Sequence, residues 1–207
     1  MNTAFATFKP SGTFDVKVPM IGEESEKQVL SLLKSGRPKD FERACEVIYN
    51  QFSQRIYVFV SAFLKNKTDA QDVLQNTWSK VFSNIDRFKG QSSLYTWIYR
   101  IAYNECINWI KSRDYGRFTE ADLKDTYHTT TTSTNSIDFE KAARWFDEAV
   151  DILPPRQRAV FIMRYFDEMP YEKISRITGL SEGSLKASFH HAAAKIEKYV
   201  IQKLNEV

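Results

Sequence analysis

The chain has 207 residues, 43% hydrophobic and 27% charged, with seven glycines, six prolines and a formal net charge of +3. That balance excludes a disordered or fibrous chain, and the length allows one domain or two small ones. No apolar run approaches the roughly eighteen residues of a membrane span, and the opening MNTAFATFKPSG lacks the basic-then-apolar order of a signal peptide. A cytoplasmic protein with no membrane insertion of its own is expected.

Residues 1–37 form an N-terminal arm, irregular at first, with Phe5, Phe8, Phe14, Val16 and Val18 hinting at a docking role. A short helix is predicted from Glu26 to Lys34, closed by Gly36 and Pro38. The first unit, 38–113, opens with a helix capped at Asp40, whose apolar residues Phe41, Cys45, Ile48, Phe52, Ile56, Phe59 and Phe63 recur in steps of three and four. After the break Lys65–Thr68, a second helix carries Ala70, Val73, Leu74, Thr77, Trp78, Val81 and Phe82. Lys89-Gly90-Gln91 interrupts, and Ser92 or Ser93 caps a third helix running to Lys111 or Arg113.

Leu94, Trp97, Ile98, Ile101 and Ala102 supply this third helix with a core stripe, while Tyr95, Tyr99 and Tyr103 line a neighbouring face beside Arg100, Asn104 and Lys111. Two readings of the tyrosines stand: they stack on unpaired bases, or they pack against other helices with their hydroxyls at the surface. Charge is uneven here. Residues 80–117 carry seven basic and three acidic side chains, and 114–140 six acidic and two basic.

Residues 114–138, with the run YHTTTTSTNS, lack helical periodicity and read as a flexible polar linker. The second unit, 139–207, begins with a helix carrying Phe139, Ala142, Ala143, Phe146, Ala149, Val150 and Leu153, stopped by Pro154-Pro155. A companion helix follows over Arg156–Phe166, and Pro170 restarts the chain for a helix over Tyr171–Thr178. Gly179 supplies a positive φ, Leu180 plugs the corner, and Ser181 caps a last helix tied down by Leu185, Phe189, Ala192 and Ile196. The expected fold is all-α: two small helical domains joined by a flexible linker, the C-terminal one a helix-turn-helix.

A helix-turn-helix suggests a reader of duplex DNA, against the plainer alternative of a three-helix packing unit. Glu182, Lys186 and His190, spaced by four, point away from the core toward base edges or phosphates. The amides of Gly183 and Ser184 are free to hold a phosphate. Ser175 stands where alanine is commoner at the close helix crossing. No enzyme is indicated: His128, His190 and His191 have no triad or zinc spacing, and Cys45 and Cys106 read as buried thiols. No cofactor or metal is expected.

Two stretches of the first unit, Asp69-Ala70-Gln71-Asp72-Val73-Leu74-Gln75-Asn76-Thr77-Trp78 and Trp97-Ile98-Tyr99-Arg100-Ile101-Ala102-Tyr103-Asn104, resemble the −10 domain of bacterial sigma factors of the extracytoplasmic-function (ECF) group, within the sigma-70 family. Leu153-Pro154-Pro155-Arg156-Gln157-Arg158 and the run Glu172 to Lys186 resemble its −35 domain. The resemblance covers about 38–113 and 139–204. It implies a factor that binds core RNA polymerase, recognises −35 and −10 promoter elements and promotes melting, with an anti-sigma factor as a further partner. It implies that Asp69, Asp72, Gln75 and Trp78 dock on core polymerase. It places −10 contacts on Phe88, Lys89, Gln91, Ser92, Ser93, Tyr95, Arg100, Tyr103 and Asn104, with Trp97 equally a core residue. It places −35 contacts on Ser181, Glu182, Gly183, Ser184, Lys186, His190 and His191. Three arginines of the family pattern are replaced by Ser188, His191 and Ala193, which lowers the expected affinity and salt dependence of −35 binding. The alternative is a regulator using only its helix-turn-helix, with the N-terminal helices as a dimerisation or sensor module.

Overall fold

The computed structural model describes residues 23–64, 66–88, 90–113 and 139–206, and every regular element among them is helical. The expected linker at 114–138 and most of the arm lie outside the described residues. Helix α1 spans Glu23–Lys34 and α2 spans Pro38–Phe63. Helix α2 starts two residues before the expected Asp40, because Pro38 has the φ of a first helical turn and no amide to leave unpaired. Asp40 instead accepts from Arg37 Nε at 2.7 Å. The α2 stripe is buried at Ile48, Phe52, Ile56, Phe59 and Phe63, but Phe41 at its start is 40% exposed and Cys45, expected as a buried thiol, is only half-buried, with Ala44 taking the inward place. Periodicity assigned Phe41 to the correct face, but a face is buried only as far as its neighbours reach.

Helix α3, Lys67–Asn84, is capped by Asn66, whose Oδ1 accepts from the amides of Thr68 and Asp69 at 2.9 and 3.2 Å. A 3-10 turn at Ile85–Arg87 leads to α4, Leu94–Arg113. Ser93 is its cap, accepting from Thr96 N. Another of its first-turn amides is satisfied from a distance: Leu94 N donates to Glu26 Oε1 at 2.7 Å. With Val29 fully buried, α1 is therefore docked on the first unit.

The second unit comprises α5 (Phe139–Asp151), α6 (Pro155–Phe161), α7 (Tyr171–Thr178) and α8 (Glu182–Asn205). The expected single helix over Arg156–Phe166 is instead α6 followed by a π turn at Ile162–Phe166. The wider turn brings two adjacent rings, Tyr165 and Phe166, against Phe146 at 5.7 and 6.3 Å. One apolar cluster joins α5, α6 and α8 through Phe146, Leu153, Phe161, Ala192 and Ile196. A larger one runs through α1 to α4 and continues into the second unit at Ala159, Ile162, Met163, Ile174 and Ile177. The two units therefore share a core.

Candidate nucleic-acid interface

The α7–α8 corner is built as its residues dictate. Gly179 takes φ +77°, a conformation costly for a residue with a side chain, and its amide donates to Ser175 O at 2.8 Å. Ser175 is itself useful at the crossing, since its hydroxyl donates to Leu180 O at 2.6 Å. Ser181 caps α8 by accepting from Ser184 N. Leu185, Ala192 and Ile196 face inward, fully buried, and the Phe189 ring stacks on Phe161 at 5.6 Å. The opposite face is open: Ser181, Glu182, Gly183, Ser184, Lys186 and His190 are exposed, and His191 is half-buried. Lys186 lies 3.9 Å from Glu182, a loose and solvated pair that leaves the ammonium available to a stronger anion.

A second open surface lies between α3 and α4. A cleft of about 510 Å³ is lined by Lys80, Asn84 and Arg87 on one side and by Trp97, Asn104 and Asn108 on the other. Lys80 Nζ pairs with Glu105 at 2.6 Å across it. Phe88 packs on Trp97 at 5.4 Å, so the loop after α3 ends on an aromatic floor. Cations for a phosphate, planar rings for a base and amides for its edge are thus gathered in one groove. Asn104 lines the cleft and Phe88 packs on its Trp97; Arg100 and Gln91 are exposed, and Lys89 lies outside the described residues. The Ser93 hydroxyl is engaged with Thr96, at 2.8 Å from its Oγ1. Lys80, Asn84, Arg87 and Asn108 were missed in sequence, although their i, i+4 and i, i+7 spacing marks one stripe on each helix.

The tyrosines go elsewhere. Tyr95, Tyr99 and Tyr103 are 8%, 0% and 6% exposed, while Trp97 and Ile101 of the expected core stripe are only partly buried. The structure thus answers the two readings of this face with packing, and not with hydroxyls at the surface. The Tyr99 ring packs on Phe59 at 4.5 Å and its hydroxyl donates to the Asp167 carboxylate, beyond the π turn of the second unit. Lys173 Nζ of α7 sits 4.1 Å above the Tyr95 ring. Burial pushes the Tyr99 phenol well above its ordinary value. Burial likewise lifts Asp167 to about 6, against the opposing pull of the Tyr99 hydrogen bond, Arg55 and Lys173. The reason is a neighbour that periodicity does not contain: α7 covers α4.

On α3, Asp72 and Gln75 are exposed. Asp69 is paired with Arg113 of α4 at 2.9 Å, and the Trp78 ring meets Tyr49 edge-on at 5.0 Å. Asp69 thus faces α4 and Trp78 faces α2, with the exposed Asp72 and Gln75 between them along the helix.

Two family models match this chain, Sigma-70 region 2 over residues 48–115 and Sigma-70 region 4 over residues 143–196, together more than half its length. The chain belongs to the ECF group of the sigma-70 family. It is similar to the RNA polymerase sigma factor YlaC of Bacillus subtilis, 26% identical over 78% of this chain and 94% of the relative. It is also similar to the RNA polymerase sigma-H factor of Pseudomonas aeruginosa, 25% identical over 90% of this chain and 100% of the relative. Its fold is similar to that of CnrH, solved with the cytosolic domain of CnrY, at a TM-score of 0.61 and 17% identity over 86% of this chain and 98% of that one. The sigma factor RpoE of Bartonella quintana, solved with the anti-sigma factor NepR, has the same fold at a TM-score of 0.54 and 18% identity, over 86% of this chain and 98% of that one. As a sigma factor this chain is a non-catalytic protein of transcription that binds RNA polymerase and recognises promoters. No described helix is long and apolar enough to cross a membrane.

Proposed function

We propose that this sigma factor reads a promoter at two surfaces and promotes melting by binding alone. Residues 139–207 form the −35 domain: α8 enters the major groove, Lys186 and His190 meet phosphates or base edges, and the Gly183 amide at the α8 N-terminus holds a phosphate, the Ser184 amide being taken by the Ser181 cap. Glu182 is suited to accept from a cytosine N4 amine. Residues 38–113 form the −10 domain. An extruded base of the melted strand is received by Phe88–Ser93 and the adjoining cleft, where Asn104, Asn84 and Asn108 present amides and Arg87 and Lys80 present charge. No chemistry is required, because stacking and phosphate contacts offset the few kcal/mol of unstacking. Asp72, Gln75, Asp69 and Trp78 dock on core RNA polymerase. By extension from relatives solved with CnrY and NepR, an anti-sigma factor is its second protein partner.

The observation that carries this reading is the open polar face of α8, set on a capped helix whose other face is fully buried. The test is transcription in vitro by core RNA polymerase over a promoter library. The reading requires initiation that depends on this chain, and soluble, folded protein that stimulates none would overturn it. A dimer that protects a palindrome without polymerase would point instead to a stand-alone duplex reader.

A further inference from the structure

We propose that Glu26 of α1 is a positioning residue for −10 recognition, fixing from a distance the loop exit and helix start that receive the extruded base. The inference rests on the promoter-reading proposal above. Helix α1 lies ahead of residues 48–115, the stretch matched by Sigma-70 region 2, yet it reaches the part of that stretch assigned to the melted strand.

The contact is a helix cap supplied from sixty-eight residues away. The first turn of α4 presents more amides than its own cap can serve. Ser93 Oγ accepts from Thr96 N at 3.2 Å, and Ser93 O accepts from Trp97 N at 3.1 Å. Leu94 N is left over, and Glu26 Oε1 accepts from it at 2.7 Å. That is the length of a charge-assisted bond, made by a carboxylate at the positive end of the α4 dipole. The Leu94 side chain is 1% exposed, so its amide cannot turn toward water without unseating the side chain from the core. Glu26 is held in its turn. Val29, one turn on along α1, is fully buried, and Leu32 and Leu33 pack against the same core, so a docked helix carries the carboxylate.

The bond fixes one end of the base-receiving loop. The other end is fixed by Phe88, whose amide donates to Ile85 O at 3.1 Å and whose ring packs on Trp97 at 5.4 Å. Between these anchors the chain turns through Gly90 at φ +68°, and Gln91 and Ser93 are exposed. Trp97, which lines the cleft, sits one turn after Leu94 on the segment that Glu26 caps. A frayed first turn would therefore displace the ring and the loop together, and stacking on a base needs both in register.

The test compares holoenzymes assembled from core RNA polymerase and the full chain as wild type, Glu26→Gln and Glu26→Ala. The probes are single-stranded −10 oligonucleotides from the non-template strand of a promoter on which the wild type initiates, intact or with each nucleotide in turn made abasic. Fluorescence anisotropy gives the affinity ratio of intact to abasic strand, which neither the folded fraction nor overall stability moves. Wild type should lose about tenfold at the captured position. Glu26→Ala should cut that ratio to about threefold while binding the abasic strand as wild type does, and Glu26→Gln, which keeps an acceptor oxygen, should retain the full ratio. A full ratio in Glu26→Ala overturns the positioning role. So does a ratio that falls equally in Glu26→Gln, because the acceptor would then not be what matters. Tighter binding of intact and abasic strands alike by Glu26→Ala also overturns it, by showing that Glu26 occupies a phosphate site. A wild type that loses nothing at any abasic position overturns base capture itself, and the role of Glu26 with it.

Discussion

The two seams of the second unit differ in what they are made of. Where α5 and α6 meet α8, the contact is rings and aliphatics: Phe146, Phe161, Phe189, Leu153 and Ile196, with Phe161 and Phe189 stacked at 5.6 Å. Where α7 meets α4, tyrosine, aspartate and lysine share the work with Ile174 and Ile177. An apolar seam loses its whole driving force on exposure, whereas a mixed one recovers much of it from water. The first seam is the inside of a domain, and the second is a contact between two domains.

The contrast can be broken most forcefully from its apolar side. Phe146→Ala should cost about 3–5 kcal/mol and unfold the second unit at much lower denaturant, read as a shift in the midpoint by circular dichroism. Arg158→Met removes donors from three carbonyls, one of them across the seam. A loss of about 2–4 kcal/mol is expected in the same melt, together with expansion in scattering, and a melt indistinguishable from wild type would show those bonds to be idle.

Acidity sharpens the comparison next. Asp167, lifted by burial to about 6 from an ordinary 3.8, binds its proton more tightly in the folded chain than in the unfolded one. A raised carboxyl contributes fully below its unfolded value, and the contribution fades as pH rises through about 6. Stability should therefore fall by up to about 3 kcal/mol between pH 4 and pH 7 from this group, read as a falling denaturation midpoint by circular dichroism. The groups facing this carboxyl are Tyr99 on α4, Arg55 on α2 and Lys173 on α7. Asp167→Asn should flatten the profile.

Smaller effects belong to the exposed helix. Ser181→Ala should cost about 1 kcal/mol through loss of the cap on Ser184 N. Lys186→Ala should change stability by less than about 0.5 kcal/mol, yet lower the slope of log affinity against log salt for −35 duplex by about one unit.

Local physics made much of this molecule legible. Gly179, Ser181 and Pro170 mark the corner and the start of α7 because φ, caps and missing amides act within a few residues. The inward residues of α8 follow from a period of 3.6. Helix α4 shows the limit of the same method. Its tyrosine stripe was visible as a stripe, but nothing in the spacing says whether its neighbour is a nucleic acid, water or another helix. The polar stripe Asn104–Asn108 was equally readable, and became a site only when Lys80, Asn84 and Arg87 of α3 were placed opposite it.

The sequence alone thus determined most of the helices, the inward face of α8, the turn chemistry and the resemblance that led to the family, since each rests on residues near one another in the chain. Tertiary structure decided that Glu26 caps α4, that Trp97 lines a cleft, and that Tyr99 meets Asp167 sixty-eight residues away. Such pairings arise from burying surfaces distant in sequence, a choice made by the whole chain's packing and by no segment of it.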